Sequence, residues 1–145
     1  MTAQAMEKLI FNEKEVSMAT EPLASYLSNL KEKPPLISPT TACWRGYYGK
    51  WEIKDNKLYL INFEGYTLNY PDETGLRKVG IHYLFPTQER VFAKWFTGEI
   101  RIPEGDMLKY VHGGYESIFE SDLFLEIKKG MLIGQRTVEN IFETD

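Results

Sequence analysis

Apolar and polar residues alternate with a period of two along much of the chain, most cleanly from Trp51 to Leu60. With Asp55-Asn56 as a two-residue turn, Trp51 faces Leu60, Glu52 faces Tyr59, Ile53 faces Leu58 and Lys54 faces Lys57. Trp51, Ile53, Leu58 and Leu60 then share one face, and Glu52, Lys54, Lys57 and Tyr59 the other, as a half-buried hairpin requires. Lys54 and Lys57 oppose each other as like charges, which points to a solvent-exposed tip or a longer loop. The same grammar recurs where Phe96, Gly98, Ile100 and Ile102 alternate with Trp95, Thr97, Glu99 and Arg101. A turn candidate at Pro103–Asp106 and a strand over Met107 to Val111 follow. It recurs again where Leu123, Leu125 and Ile127 precede Lys128-Lys129-Gly130 and the run Met131 to Ile133. The spacings differ and the residues between the units do not align, so the chain reads as a meander and not as a repeat.

A small hairpin is predicted at the N-terminal end, with strands Glu7–Phe11 and Val16–Met18 around Asn12–Glu15. Leu23, Tyr26, Leu27 and Leu30 recur at helical spacing, so Glu21 to Leu30 reads as one short helix, with Pro22 at its first position and Thr20 as a cap. Three prolines between Lys31 and Pro39 end it. Gly65 to Gly80 reads as a connection, with Asn69–Gly75 a surface loop. Thr137 to Asp145 reads as an edge strand with a flexible acidic end at 141–145. The expected fold is mainly β: eight or nine strands in a mostly antiparallel, twisted sheet forming a barrel or a sandwich, with one short N-terminal helix covering an opening or an edge.

Composition narrows this picture. At 145 residues the chain reads as a single domain over 1–145, able to bury roughly two thirds of its extended surface. There is no run of eighteen apolar residues, hence no predicted membrane span. Charged residues at Glu7, Lys8, Glu13, Lys14 and Glu15 interrupt the first twenty positions, which predicts no secretory signal. The net charge of −4 argues against a nucleic-acid partner. Cys43 is the sole cysteine, so neither an internal disulfide nor a thiolate zinc cluster can form, and a cytoplasmic location is expected. No cofactor motif is present.

The strings Cys43-Trp-Arg-Gly-Tyr47, Trp51-Glu-Ile53, Lys57-Leu-Tyr-Leu60 and Trp95-Phe-Thr-Gly98 resemble those of a group of small, uncharacterised bacterial proteins. Arg101-Ile-Pro103, Tyr110-Val-His112 and Asp122-Leu-Phe-Leu125 fit the same resemblance, which spans about residue 40 to residue 135. It implies a bacterial, cytoplasmic protein and carries no mechanism.

Several residues are candidates for chemistry. Trp44 or Tyr47 can stack a planar ligand while Arg45 pairs with an anion, and Gly46 permits close backbone approach. The same run equally suits a strand with core aromatics and Arg45 in a structural ion pair, with Cys43 a buried thiol. Tyr110-Val-His-Gly-Gly-Tyr-Glu116 reads as a loop able to bind an anion or as a plain turn. A zinc site using His82 and His112 needs a third ligand among Glu116, Glu120 and Asp122, and no metal site is expected. Trp95 can form a partner surface or a second buried layer. Trp44, Arg45, Tyr47, Trp95, Tyr110 and His112 are therefore the candidate binding residues.

Three functional readings follow. The first is a non-enzymatic cytoplasmic protein that binds a protein partner or a small ligand through an aromatic surface, with a homodimer compatible. Trp44, Tyr47 or Trp95 exposed in one patch would favour it. The second is a hydrolase or isomerase with a barrel pocket, in which His112 is the base, Arg45 the anion contact and Glu116 or Asp122 the partner. The third is lipocalin-like carriage in an unfilled barrel interior.

Overall fold

The turn at Asp55-Asn56 is built from two left-handed residues, with φ of 52° and 61°, the backbone whose twist matches its flanking strands. In the computed structural model, which describes residues 3–68 and 75–140, this turn joins β3 (Tyr47–Lys54) to β4 (Lys57–Leu68) in the expected register. Trp51, Leu58 and Leu60 are buried on the inner face, and Lys54 and Lys57 oppose each other in the open. Lys57→Glu is expected to raise stability by about 0.2–1 kcal/mol, because it turns that like-charged pair into an opposite one and leaves Lys54 among the carboxylates of Glu13, Glu52 and Asp55. A urea midpoint that fails to rise at low salt, where screening is weakest, would show that the like-charged pair costs the fold nothing.

Two more turns use the same device. Asn12-Glu13, with φ of 50° and 65°, joins β1 (Glu7–Phe11) to β2 (Lys14–Met18), so the turn is two residues long and not the expected four of Asn12–Glu15. Lys129-Gly130, with φ of 49° and 82°, joins β8 (Ile118–Lys128) to β9 (Met131–Glu139). The helix α1 runs only over Leu23–Ser28, with Pro22 as its N-cap residue and Asn29 closing it. Thr20 does not cap it, since its hydroxyl accepts the Arg101 N–H at 2.9 Å.

The second predicted hairpin is corrected. Pro103–Asp106 does not turn; β7 runs unbroken from Gly98 to Lys109 against β8. The register slips twice, between Glu104 and Met107 and between Met107 and Lys109, so the extra residues are absorbed as bulges. Gly105 takes φ +81° there, and a Cβ on it would come within 2.8 Å of Glu120 Cβ. Pro103 is tolerated because β7 is the last strand in the sheet order. The Gly65–Gly80 connection is also corrected. β4 continues through Gly65 to Leu68, and β5 (Leu76–Val79) returns along it. Gly65 serves close approach: its missing side chain leaves room for the Phe63 ring, 2.7 Å from where a Cβ would stand. Most of the expected Asn69–Gly75 loop lies outside the described residues, as does the acidic end at 141–145.

With β6 (Val91–Phe92) the described residues form one nine-stranded sheet, ordered β2-β1-β3-β4-β9-β8-β7, with β5 and β6 pairing to β4. It is mixed, not purely antiparallel: β1 and β3 run parallel, with Leu9 opposite Trp51. The helix and the proline-rich stretch supply the long crossover that a parallel pair needs. The sheet does not close into a barrel. β4 and β9 meet at the single pair Lys57 and Met131 and then diverge. At the other end β2 approaches β7, where Ala19 N–H donates to Arg101 O at 2.8 Å. One core spans both halves of the sheet, joining Leu9, Trp51 and Phe63 to Ile100, Leu125 and Ile127. That packing, in an unclosed sheet, removes the barrel interior on which lipocalin-like carriage depended.

Candidate functional site

Arg45 leaves the tight turn Cys43–Gly46, where Gly46 takes φ +82°, and its side chain points into the molecule instead of toward a ligand. Its Nη2 donates to Glu7 Oε2 at 2.8 Å, and only 7% of the Arg45 side chain and none of the Glu7 side chain is exposed. Glu7 also accepts the Gly49 N–H at 2.6 Å and the Trp51 Nε1–H at 3.2 Å. The parallel pairing of β1 with β3 brings these groups together. Gly49 is required, because a Cβ there would run into Glu7 Oε1 and approach Trp51 Nε1 to 2.8 Å.

The electrostatics of this centre are those of a buried lock. Burial pushes the Glu7 carboxyl above its ordinary range, against the opposing pull of Arg45, the Gly49 amide and Trp51. Burial also works against the Arg45 charge, but the Glu7 carboxylate, with smaller help from Tyr115 and Cys43, keeps the guanidinium pKa above its ordinary value. Arg45 Nε, Arg45 Nη1 and the Tyr47 hydroxyl make no hydrogen bond among the described residues. Part of the guanidinium is met instead by the Tyr47 and Tyr48 rings, 5.5 Å and 5.6 Å away. Tyr47 is buried and stacks on Phe63 at 5.5 Å, so it is a core residue and not a ligand contact. Cys43 is fully buried, its thiol donating to Tyr47 O at 3.2 Å.

A second, part-buried ion pair anchors the loop after β7. Arg101 Nε donates to Asp122 Oδ1 at 2.9 Å, Nη1 to Tyr115 O at 2.5 Å and Nη2 to Ser117 O at 3.0 Å. Asp122 Oδ2 takes the Asn140 amide at 2.9 Å. Tyr115 donates to Glu21 Oε2 at 2.6 Å, and burial together with that carboxylate raises its hydroxyl pKa. Asp122 is thus engaged in structure, while His112 and Glu116 are exposed. His112 meets the Tyr110 ring edge-on at 4.5 Å. Among the described residues no group of three His, Cys, Asp or Glu is placed to hold a metal ion. No helix among them is long and apolar enough to cross a membrane.

Compared with protein-family models, curated proteins and solved structures, the chain matches none.

Trp44, Tyr47 and Trp95 do not form one exposed patch. Trp44 is 50% exposed, Tyr47 is buried, and Trp95 is half-buried in a separate cleft. What the fold does bring together is Trp44 and the 110–117 loop. Gln4 lies between them, its Oε1 accepting the Trp44 N–H at 2.8 Å and its own N–H donating to Gly114 O at 2.9 Å. Beside that loop, Met107 and Tyr110 are nearly half exposed and Leu108 is exposed as well. The exposed charged residues of the same ribbon are Glu104, Asp106, Glu116 and Glu120 against Lys109. Trp95 departs from the alternation because β7 begins only at Gly98. Its ring packs among Tyr26, Phe85 and Trp51, and its Nε1–H donates to Pro22 O at 2.8 Å.

Sequence reasoning missed Glu7, Glu21 and Tyr115 as partners of the candidate residues. One signal was present: Glu7 lies in phase with Leu9 on β1, a carboxylate at an inward position. Nothing local marks Glu21 or Tyr115, whose contact spans 94 residues.

Proposed function

We propose that the chain is a non-enzymatic, cytoplasmic interaction protein that docks a basic protein partner at the end carrying Trp44, Tyr110 and His112. The observation that carries this reading is the exposure of Trp44, Met107, Leu108 and Tyr110 beside four exposed carboxylates and one ammonium. Apolar anchors within a polar rim have the anatomy of a protein interface. An acidic rim favours a basic partner and speeds its encounter. Against the hydrolase or isomerase reading stand the commitment of Arg45 to Glu7 and of Asp122 to Arg101. Each is already neutralised by a structural partner, leaving His112 exposed with neither of them to work with.

A photoactivatable phenylalanine in place of Met107 tests the proposal in cells. The expected result is a predominant crosslink to a basic protein, lost in a Glu104→Lys/Glu120→Lys double variant. The same probe at exposed Ile133 on β9 should not give that product. Identical products from both positions would sink the reading. A crosslink to a second copy would also overturn it, since two chains of net charge −4 would bring these carboxylates together.

A further inference from the structure

We infer that the cleft between α1 and the segment before β7 is a binding site for a planar aromatic anion. The cleft has a volume of about 500 Å³, within the range of small-molecule sites. It is lined by Tyr26, Phe85, Phe92 and Trp95, together with Val91, Gln88 and Lys94. None of these belongs to the docking end proposed above, so the two readings stand or fall separately.

The aromatic wall is held in place without a ligand. Tyr26 lies 4.8 Å from Trp95 and 5.1 Å from Phe85, and the Phe85 and Trp95 rings are nearly parallel, with 13° between their planes. Trp95 is pinned by its hydrogen bond to Pro22 O and backed by the buried Trp51 ring at 6.5 Å. Phe85 is 7% exposed, with its N–H donating to Ile81 O at 2.9 Å. A wall fixed in this way spares a ligand the cost of ordering it. Flat rings offer π faces to a flat guest, at a centroid spacing of about 4.5–7 Å.

Charge selects the class of guest. Lys94 is exposed and is the one charged residue of the lining, and no carboxylate among the described residues lies within ion-pair distance of it. The nearby Arg90 is already paired with Glu52 at 2.6 Å. The Trp95 indole N–H is also spent, so polar recognition falls to the Lys94 ammonium and the Gln88 amide. An aromatic body with one anionic group matches this arrangement, whereas a cation would meet the Lys94 charge.

Titration of the full chain with 2-naphthoate, 2-naphthamide and 2-naphthylmethylammonium tests the inference, followed by tryptophan fluorescence and backbone amide shifts. Naphthoate is expected to bind saturably, with shifts centred on Gln88, Lys94 and Trp95. The ammonium analogue should bind about tenfold more weakly, and Lys94→Glu should weaken naphthoate by a similar factor. Lys94 is exposed, so this variant keeps its fold, checked by an unchanged circular dichroism spectrum. Equal binding of the three probes, shifts centred elsewhere, or no saturation up to the solubility of naphthoate would each overturn the inference.

Discussion

Arg45→Met is expected to destabilise the fold by about 3–5 kcal/mol at neutral pH, the range for removing one partner of a buried ion pair. It leaves the Glu7 carboxylate, whose side chain has no exposed surface, with only the Gly49 and Trp51 N–H groups to hold its charge. Glu7→Gln introduced alongside it should restore a large part of the loss, because no charge then stays buried. The guanidinium already leaves two donor nitrogens without hydrogen bonds among the described residues, so its removal sacrifices less than the intact pair suggests. Urea midpoints of the wild type, both single variants and the double variant supply the cycle. A double variant as unstable as Arg45→Met alone would show that packing of the arginine stem, not charge, is what the fold needs.

The Glu7 pKa is raised above 4.5 in the folded chain, chiefly by burial, so the folded chain holds this proton where the unfolded chain has released it. Its contribution to stability is therefore present below the unfolded value and is lost as pH rises through the raised folded value. Removing Arg45 takes away the largest influence that lowers this pKa, so the window extends to higher pH. The penalty of Arg45→Met should accordingly shrink as the solution is acidified from neutral toward the ordinary carboxylate range. A penalty that stays constant over that interval would contradict an ionised Glu7 as the source of the loss.

Arg101→Met is the second large effect, an expected loss of about 2–4 kcal/mol from deleting charge-assisted hydrogen bonds at a site that is mostly buried. Asp122 keeps its Asn140 contact but loses its cation, while the Tyr115 and Ser117 carbonyls lose their Arg101 donors. The effect should be local as well as global. Hydrogen exchange should accelerate at Val111 and Glu116, whose amides donate to Ser117 Oγ and Gly113 O within the loop that Arg101 anchors. Unchanged exchange there, with lowered overall stability, would show that the loop holds itself and that Arg101 matters only through Asp122.

The hairpins at Asp55-Asn56 and Lys129-Gly130 are legible because their information is local, whereas the N-terminal hairpin is legible only in outline, since Lys14 and Glu15, expected in its turn, already belong to β2. Alternation fixes which face is buried, and a two-residue turn with φ above zero then leaves one register. The expected turn at Pro103–Asp106 failed on the same local grounds. Proline, glycine and acidic residues mark a bulge as well as a turn, and only the pairing of β7 with β8 distinguishes the two. Trp95 lies outside the alternation because the strand begins only at Gly98.

Of the candidate residues, Trp44, Tyr110 and His112 are exposed as a binding surface needs, while Arg45 and Tyr47 are not. An arginine beside aromatics reads the same in sequence whether it awaits a ligand or a buried carboxylate. Its partner Glu7 lies 38 residues away. The sequence by itself determined the mainly β class, the short helix and two of the tight turns, since each follows from side-chain period and backbone preference within about ten residues. Only the tertiary structure decided the parallel pairing of β1 with β3, the open sheet, the buried Glu7–Arg45 pair, the part-buried Arg101–Asp122 pair and the aromatic cleft. Each of these depends on contacts between distant segments, and local periodicity carries no record of which distant strand will lie alongside.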